Sequence, residues 1–225
     1  MNSPAFSHSL SHRRHGFTLI EMIGVLAIIA ILAVVIVPRV FQTIASSRVT
    51  NAVASINSAK AAVTEFAARY GTIPYTNGNA RLDDLLLKAG MLETRFEVPI
   101  GNKPANPPAA ARWVETNGVW TANGGSSQGS ISRLICRPAR SGTPSTTYGA
   151  NFRLDGSTDL PTGARVVSAV LVNITAREAQ ELSDKIDGEA LTPDSLNAAD
   201  ELGRVVYRAP NGAGLTTAWV YIAHQ

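Results

Sequence analysis

The chain has few residues of the kinds that build disulfide, zinc or histidine sites. Cys136 is its only cysteine, so neither an intrachain disulfide nor a multi-cysteine zinc site can form. Of the four histidines, His8, His12 and His15 fall in the first fifteen residues, and only His224 follows them. A Ser-His-Asp or Cys-His catalytic site in the rest of the chain would therefore depend on one histidine. We predict that the protein is not an enzyme and uses no cofactor.

Charged residues are also scarce, at 16% of the 225 residues. Twenty Lys and Arg against 17 Asp and Glu give a net charge of +3. Arg13 and Arg14 lie in the first sixteen residues, which contain no acid, so the rest of the chain is nearly neutral. This balance gives little support to a nucleic-acid partner. Hydrophobic residues make up 45% of the chain, which is enough for a core, and the length favours one globular domain with an appendage.

What the chain does have is a long apolar run near its N-terminus. Residues 17–37 read FTLIEMIGVLAIIAILAVVIV, in which Glu21 is the only charge. A helix of this length spans roughly 30 Å, the thickness of a bilayer hydrocarbon core. Arg13 and Arg14 precede the run, so the positive-inside rule places residues 1–16 in the cytoplasm. The sequence predicts a single-pass segment with the C-terminal bulk outside the cytoplasm.

Other targeting segments share parts of this pattern. A secretory signal also joins a basic region to an apolar one, and Arg13-Arg14 is also a feature of twin-arginine export signals. The run is longer than the ~7–15 residues of a signal core, and the best cleavage pattern, at 43–45, lies beyond it. A plain uncleaved anchor does not explain Glu21, because a carboxylate inside an apolar span costs a few kcal/mol on insertion scales.

The junction between the basic leader and the apolar run resembles a known processing site. Residues 16–21, GFTLIE, resemble the start of the mature helix in type IV prepilins and type II secretion pseudopilins. The resemblance implies that a prepilin peptidase cleaves after Gly16 and that Phe17 becomes a methylated N-terminus. It also places the family's glutamate on Glu21 and its helix-bending proline on Pro38.

The resemblance further implies a function and partners. The protein would be a structural subunit of a type IV pilus-like or type II secretion pseudopilus filament, a helical homo- or hetero-polymer with other pilins built by an inner-membrane assembly platform. It would lie in the bacterial inner membrane before assembly, with a periplasmic head, and in a filament in the periplasm or at the cell surface afterwards. Secretion, motility or adhesion, and DNA uptake all remain open as roles. The alternative is an unprocessed, monomeric, membrane-anchored extracytoplasmic binding module.

The chemistry of Glu21 fits assembly through N-terminal helices. In a bundle of such helices the α-amine of one Phe17 can approach the Glu21 carboxylate of a neighbour. Opposite charges at ~4 Å attract by about 4 kcal/mol at an intermediate dielectric, before desolvation offsets part of that attraction. Only cleavage creates the amine, so processing must precede assembly.

Beyond Pro38, which is expected to kink the helix, apolar residues recur at spacings of three and four. The stripe consists of Val49, Ala52, Ile56, Ala59, Val63, Phe66 and Tyr70. Gly71 then predicts the end of the helix. The resulting division is 1–16 for a cleaved leader, 17–38 for a transmembrane and filament-core helix, 39–71 for its amphipathic continuation and 72–225 for a globular head.

The head is predicted to be α+β and pilin-like, with a small antiparallel sheet packed on the stripe. We expect helices at 82–89 and 176–186, strands at 131–137, 148–154 and 164–174, and a closing hairpin formed by 204–209 and 215–223. Residues 98–130 are rich in proline, glycine and asparagine and predict a loop region in which Trp113 and Trp120 are anchors. Cys136 is expected to be a buried thiol.

Two charged clusters of the head are candidates for binding sites. Acidic oxygens could surround a calcium ion, but the sequence favours a solvated acidic face. The candidates are Asp184, Asp187, Glu189, Asp194 and Asp200. Arginines on neighbouring strands could share a sheet face and contact DNA, but the sequence favours a solvated basic surface. These arginines are Arg133, Arg137, Arg140 and Arg153.

Overall fold

The computed structural model describes residues 16–76, 80–101, 103–144 and 149–225. Of the predicted leader, only Gly16 is among the described residues. The chain divides into two structural units, Met1–Thr43 and Ile44–Gln225. Helix α1 (Leu19–Tyr70) contributes residues to both units, and the other elements belong to the second.

The described part of the first unit is an apolar stretch of α1. Its side chains are exposed throughout, with Leu19 at 77% and Ile31 at 69% of their full exposure. By length and composition this helix can cross a membrane. Pro38 lies inside α1, and because proline has no N–H the carbonyl of Val34 loses its usual helical partner there.

The end of α1 confirms the predicted role of Gly71. Its φ of +78° is the left-handed conformation that glycine adopts without strain, and its N–H donates to the carbonyl of Ala67 at 2.9 Å. The helix therefore ends at Tyr70, as the sequence predicted.

In its described part the second unit contains two further helices and two antiparallel sheets. The helices are α2 (Leu82–Lys88) and α3 (Ala176–Ile186). The smaller sheet pairs β1 (Arg112–Thr116) with β2 (Val119–Asn123). The larger sheet has the order β3-β4-β6-β5, formed by β3 (Arg133–Pro138), β4 (Arg165–Thr175), β5 (Val205–Tyr207) and β6 (Leu215–His224).

The predicted stripe of α1 is the helical side of the main core. Val49, Ala52, Ile56, Ala59, Ala62, Val63 and Phe66 are buried, and Tyr70 packs at the margin. Their apolar cluster includes Leu134 and Cys136 of β3 and Leu171 of β4. The sheet covers the stripe because this face is the apolar side of the later, amphipathic part of α1. The α+β, pilin-like architecture is thus confirmed.

One predicted loop contains a hairpin. Residues 98–130 were expected to be irregular, but strands β1 and β2 pair there around Asn117-Gly118. Both turn residues have positive φ, +52° and +78°, as a two-residue hairpin turn requires. Asn-Gly between alternating residues is the sequence signal for this turn, and the high glycine and proline content around it concealed the signal. Trp113 and Trp120 are buried, as predicted.

The predicted strand at 148–154 is wrong for the part that the structure describes, 149–154. Tyr148 lies outside the described residues. Arg153 makes only an isolated bridge to Gly203, and no continuous ladder forms. The apolar residues that suggested a strand, Phe152 and Leu154, instead pack in a second apolar cluster with Val170 and Trp219 of the larger sheet.

Candidate processing and assembly site

The junction that precedes α1 is exposed and non-helical. Gly16, Phe17 and Thr18 are all exposed and lie outside any helix or strand. No described atom comes within 4 Å of the position that a Cβ on Gly16 would occupy. The Gly16–Phe17 peptide bond is therefore accessible to an enzyme that approaches the first residues of the helix.

Thr18 and Glu21 form a capping box at the start of α1. The backbone N–H and the hydroxyl of Thr18 both donate to Glu21 Oε2, at 2.7 Å each. The backbone N–H of Glu21 donates in return to Thr18 Oγ1 at 3.3 Å. These bonds satisfy donors that the first helical turn otherwise leaves without partners.

Glu21 was predicted from the sequence to be a functional residue, but its contact with Thr18 was not predicted. The signal was present, because Thr-x-x-Glu ahead of an apolar run is the pattern of a capping box. Both donors of Thr18 use Oε2, and among the described residues none donates to Oε1 of Glu21. The carboxylate thus keeps one oxygen for a second partner while its charge stabilises the positive end of the helix dipole.

The four candidate arginines do not share one sheet face. Arg133 and Arg137 lie on β3 and are partly buried, and burial lowers the pKa of Arg133 to about 10. Arg140 and Arg153 lie outside the strands, so the expectation of a common face is wrong for both. Arg153 is moreover paired with Asp159, with 2.9 Å between Nε and Oδ1.

The acidic candidates are largely engaged by the protein or turned to solvent. Asp187 accepts backbone N–H groups of Arg204 and Val205 at the start of β5, at 2.7–2.9 Å. Asp184 and Glu189 are exposed. Within the described ranges, no three His, Cys, Asp or Glu side chains are grouped so as to hold a metal ion.

Asp200 is the one fully buried carboxylate among the five acidic candidates. It is 1% exposed and accepts hydrogen bonds from the Ser183 hydroxyl at 2.7 Å and from the Leu202 N–H at 3.1 Å. Burial, with a smaller contribution from the nearby charges of Asp187 and Asp184, raises the pKa of Asp200 to about 7, against the lowering effect of the two hydrogen bonds.

Cys136 is fully buried in β3, as the sequence predicted. Burial raises the pKa of the thiol to about 12, so the reactive thiolate is scarce at neutral pH. At the outer edge of β3, its backbone carbonyl accepts a hydrogen bond from the N–H of Thr76, and its own N–H donates to Thr76 Oγ1. The residue is part of the core.

The comparisons with known proteins agree with the geometry of the junction. Residues 11–37 match the family model described as the prokaryotic N-terminal methylation motif. No curated protein and no solved structure matches the chain. The motif is the leader of type IV pilins and pseudopilins, and it indicates a pilin-like substrate of a prepilin peptidase with a structural role. The apolar helix behind it is consistent with membrane anchoring.

Proposed function

We propose that the protein is a structural subunit of a type IV pilus-like or type II secretion pseudopilus filament. It is cleaved after Gly16, methylated at Phe17 and assembled with other pilins by an inner-membrane platform. The head is periplasmic before assembly, and the filament lies in the periplasm or at the cell surface. The observation that carries this proposal is the methylation motif at residues 11–37, placed on an exposed junction directly before an apolar helix.

Processing prepares the chain for assembly. Hydrolysis of the Gly16–Phe17 bond removes the basic leader and leaves a free α-amine on Phe17. The apolar helix stays with the mature chain because the cut lies before it. Gly16 suits the peptidase because it adds no side chain beside the bond that is cut.

Assembly then uses Glu21. The amine of a neighbouring Phe17 is a charged donor for the carboxylate, whose Oε1 is not used by the capping box. A charge that is buried among helices is far less costly when it is paired, so the pair favours helices in one register. Pro38, at the end of the apolar part, supplies the break in backbone hydrogen bonding that allows the helix to bend.

The capping box also supports the alternative of an unprocessed monomeric anchor. Thr18 gives the Glu21 carboxylate a role within one chain, with no neighbour involved. The two functions differ in the fate of the leader and in polymer formation. An experiment must therefore follow cleavage and filament yield on the same samples.

The test is Gly16→Val in the full-length chain, produced in cells that contain a prepilin peptidase. The precursor should stay uncut, because a branched side chain crowds the peptidase cleft, and its filament yield should fall at least tenfold. Gly24→Val is the matched control, since Gly24 lies inside α1 with free space around it and should be processed normally. Normal processing and wild-type filament yield from Gly16→Val would contradict the proposal.

A further inference from the structure

An aromatic groove opens on the head between the end of α1, the β1–β2 hairpin and the start of β4. Its volume is about 690 Å³, and its walls include Tyr70, Tyr75, Val119, Trp120 and Arg165. Val119 is 61% exposed and Tyr75 39%. Tyrosine, tryptophan and arginine are the residues that most often dominate the energy of protein interfaces. We call this surface the aromatic groove.

Cations lie against the aromatic rings of this groove. The Arg165 guanidinium carbon is 4.1 Å from the ring centroid of Tyr75. Lys88 Nζ is 5.9 Å from the ring of Trp120, and the Arg69 guanidinium carbon is 5.7 Å from the ring of Tyr70. Arg165 is the one charged residue among the described lining residues. The groove therefore suits an apolar side chain that is accompanied by negative charge.

The segment 188–203, between α3 and β5, has the complementary character. It contains four acidic residues and no basic one. Leu196, near the middle of the segment, is 44% exposed, and Asp194, two residues before it, is exposed as well. Beyond α1, the other large hydrophobic side chains that the described residues expose are Tyr75, Val114 and Val119, which belong to the groove and its hairpin. We call this segment the acidic loop.

The acidic loop is held in place by the rest of the head. The Gln180 amide donates to the carbonyl of Pro193 at 2.8 Å, and the Thr192 hydroxyl donates to Ser183 Oγ at 3.0 Å. Asp200, at its end, forms a bridge with Tyr207 of β5. Leu196 is therefore presented on a structured loop, which lowers the entropy cost of docking.

The groove and the loop lie at opposite edges of the four-stranded sheet. Tyr75 precedes Thr76, whose N–H bonds to Cys136 on the outer edge of β3. The acidic loop adjoins β5, the outermost strand on the other side. Four strands set these edges roughly 14 Å apart, so the loop of one head lies at the edge opposite its own groove.

We propose that the acidic loop of one copy docks into the aromatic groove of a second copy. Leu196 packs among Tyr75, Val119 and Trp120, and Asp194 faces Arg165. Two different surfaces meet in this contact, so the copy that gives its loop keeps a free groove and the copy that gives its groove keeps a free loop. The contact therefore propagates into an open chain. The inference rests on the proposed function, because it supplies the contact between heads in a filament whose helices already associate.

The experiment uses the full-length chain with Val119→Cys and Leu196→Cys together, treated in intact filaments with a short bis-maleimide. Each copy then carries both halves of the contact, so cross-linking should give a ladder of dimers, trimers and longer species. Either single variant can give dimers at most. Cys136 does not interfere because it is buried.

Ser157→Cys with Leu196→Cys is the matched control, since Ser157 is exposed and does not line the groove. Species larger than dimers should be at least tenfold more abundant in the Val119 pair than in this control.

Equal ladders, or filaments of processed protein without any ladder, would overturn the inference while leaving the proposed function intact. In a further outcome, the thiol introduced by Val119→Cys is protected from maleimide but no ladder forms. This would mean that something other than the acidic loop occupies the groove, and it would also overturn the inference. If wild-type protein forms no filaments at all, the proposed function fails first, and the inference falls with it.

Discussion

At the scale of single residues, Glu21 combines two roles that most substitutions would remove together. Its side chain completes the capping box with Thr18, and its charge is the partner proposed for a neighbour's amine. Glutamine also serves at this position of a capping box, so Glu21→Gln keeps the cap and removes only the charge. Alanine would remove both.

We expect Glu21→Gln to leave membrane insertion and cleavage unchanged and to lower filament yield at least tenfold. A net loss of only about 1.4 kcal/mol per contact already corresponds to that factor. Glu65→Gln is the control, since Glu65 is an exposed glutamate on the same helix. The measurement compares the protein in sheared filaments with the protein in membranes. Wild-type filament yield from processed Glu21→Gln protein would rule out the charge pair.

Asp200 gives the head an unusual pH dependence. Its pKa is raised on folding from the ordinary range near 4 to about 7, so the folded head binds this proton more tightly than the unfolded chain. The stabilisation is complete below the unfolded pKa and is lost as pH rises through about 7. Asp187, whose pKa burial also raises, acts in the same direction.

The head should accordingly unfold at a lower temperature at pH 8 than at pH 5. Asp200→Asn removes this titrating group and should reduce that slope, because the amide stays neutral throughout while Asp187 still titrates. Thermal unfolding of the full-length protein in detergent, followed across pH 5–8, measures both slopes. Identical slopes for the wild type and the variant would show that Asp200 does not titrate in this window.

Some properties of single residues could be predicted from the sequence, and others could not. Glu21 was identified as the one charge in an apolar span, and Cys136 was identified as buried from the apolar residues around it. Asp200 was assigned only to a solvated acidic face. Its burial depends on contacts with Ser183 of α3 and Tyr207 of β5, two elements that are brought to Asp200 only by the fold.

At the scale of elements, the stripe of α1 decides how the head is held together. Phe66 is fully buried among residues of the sheet and stacks on Tyr70 at 4.7 Å between ring centroids. Truncating a buried phenylalanine removes apolar contact and leaves a cavity, at a cost of about 3–5 kcal/mol.

Phe66→Ala should therefore lower the unfolding temperature of the head by roughly 6–20 °C, at about 2–4 °C per kcal/mol for a domain of this size. Phe41→Ala is the matched control, because Phe41 lies on the same helix but is 67% exposed. Thermal unfolding of both variants in detergent is the measurement. Equal transitions for the two variants would mean that the stripe does not form the core of the head.

Elements with clear periodicity were predictable, and those without it were not. Helix α3 has both helical spacing and a capping box formed by Thr175 and Glu178, and its bounds agree with the prediction. Strands β4, β5 and β6 are formed by segments that are rich in valine or that alternate between apolar and polar residues. The β1–β2 hairpin was missed because only the Asn117-Gly118 turn distinguished it from its irregular surroundings. The strand expected at 148–154 does not form over its described part, because its apolar residues pack against the larger sheet without pairing in a β-ladder.

At the scale of the whole molecule, the two structural units differ in how far the sequence explains them. The described part of the first is one apolar helix whose composition and leading motif indicate a membrane-anchored, pilin-like chain. The second has a pilin-like arrangement that the stripe and the antiparallel strands predicted in outline. Its aromatic groove was not predicted, because the groove arises where segments distant in sequence come together. The acidic loop is one continuous segment, but the sequence indicated only its acids and not its place at the edge of the sheet beside β5.

The central claim is that the chain is cut at the Gly16–Phe17 bond and then becomes part of a filament. Mass spectrometry of the N-terminal peptide of wild-type protein, taken from sheared filaments and from membranes, tests this claim most directly. The account predicts a peptide that begins at Phe17 and carries one methyl group on its α-amine. A peptide that begins at Met1, or one that begins after Ala45 without the apolar segment, would contradict it.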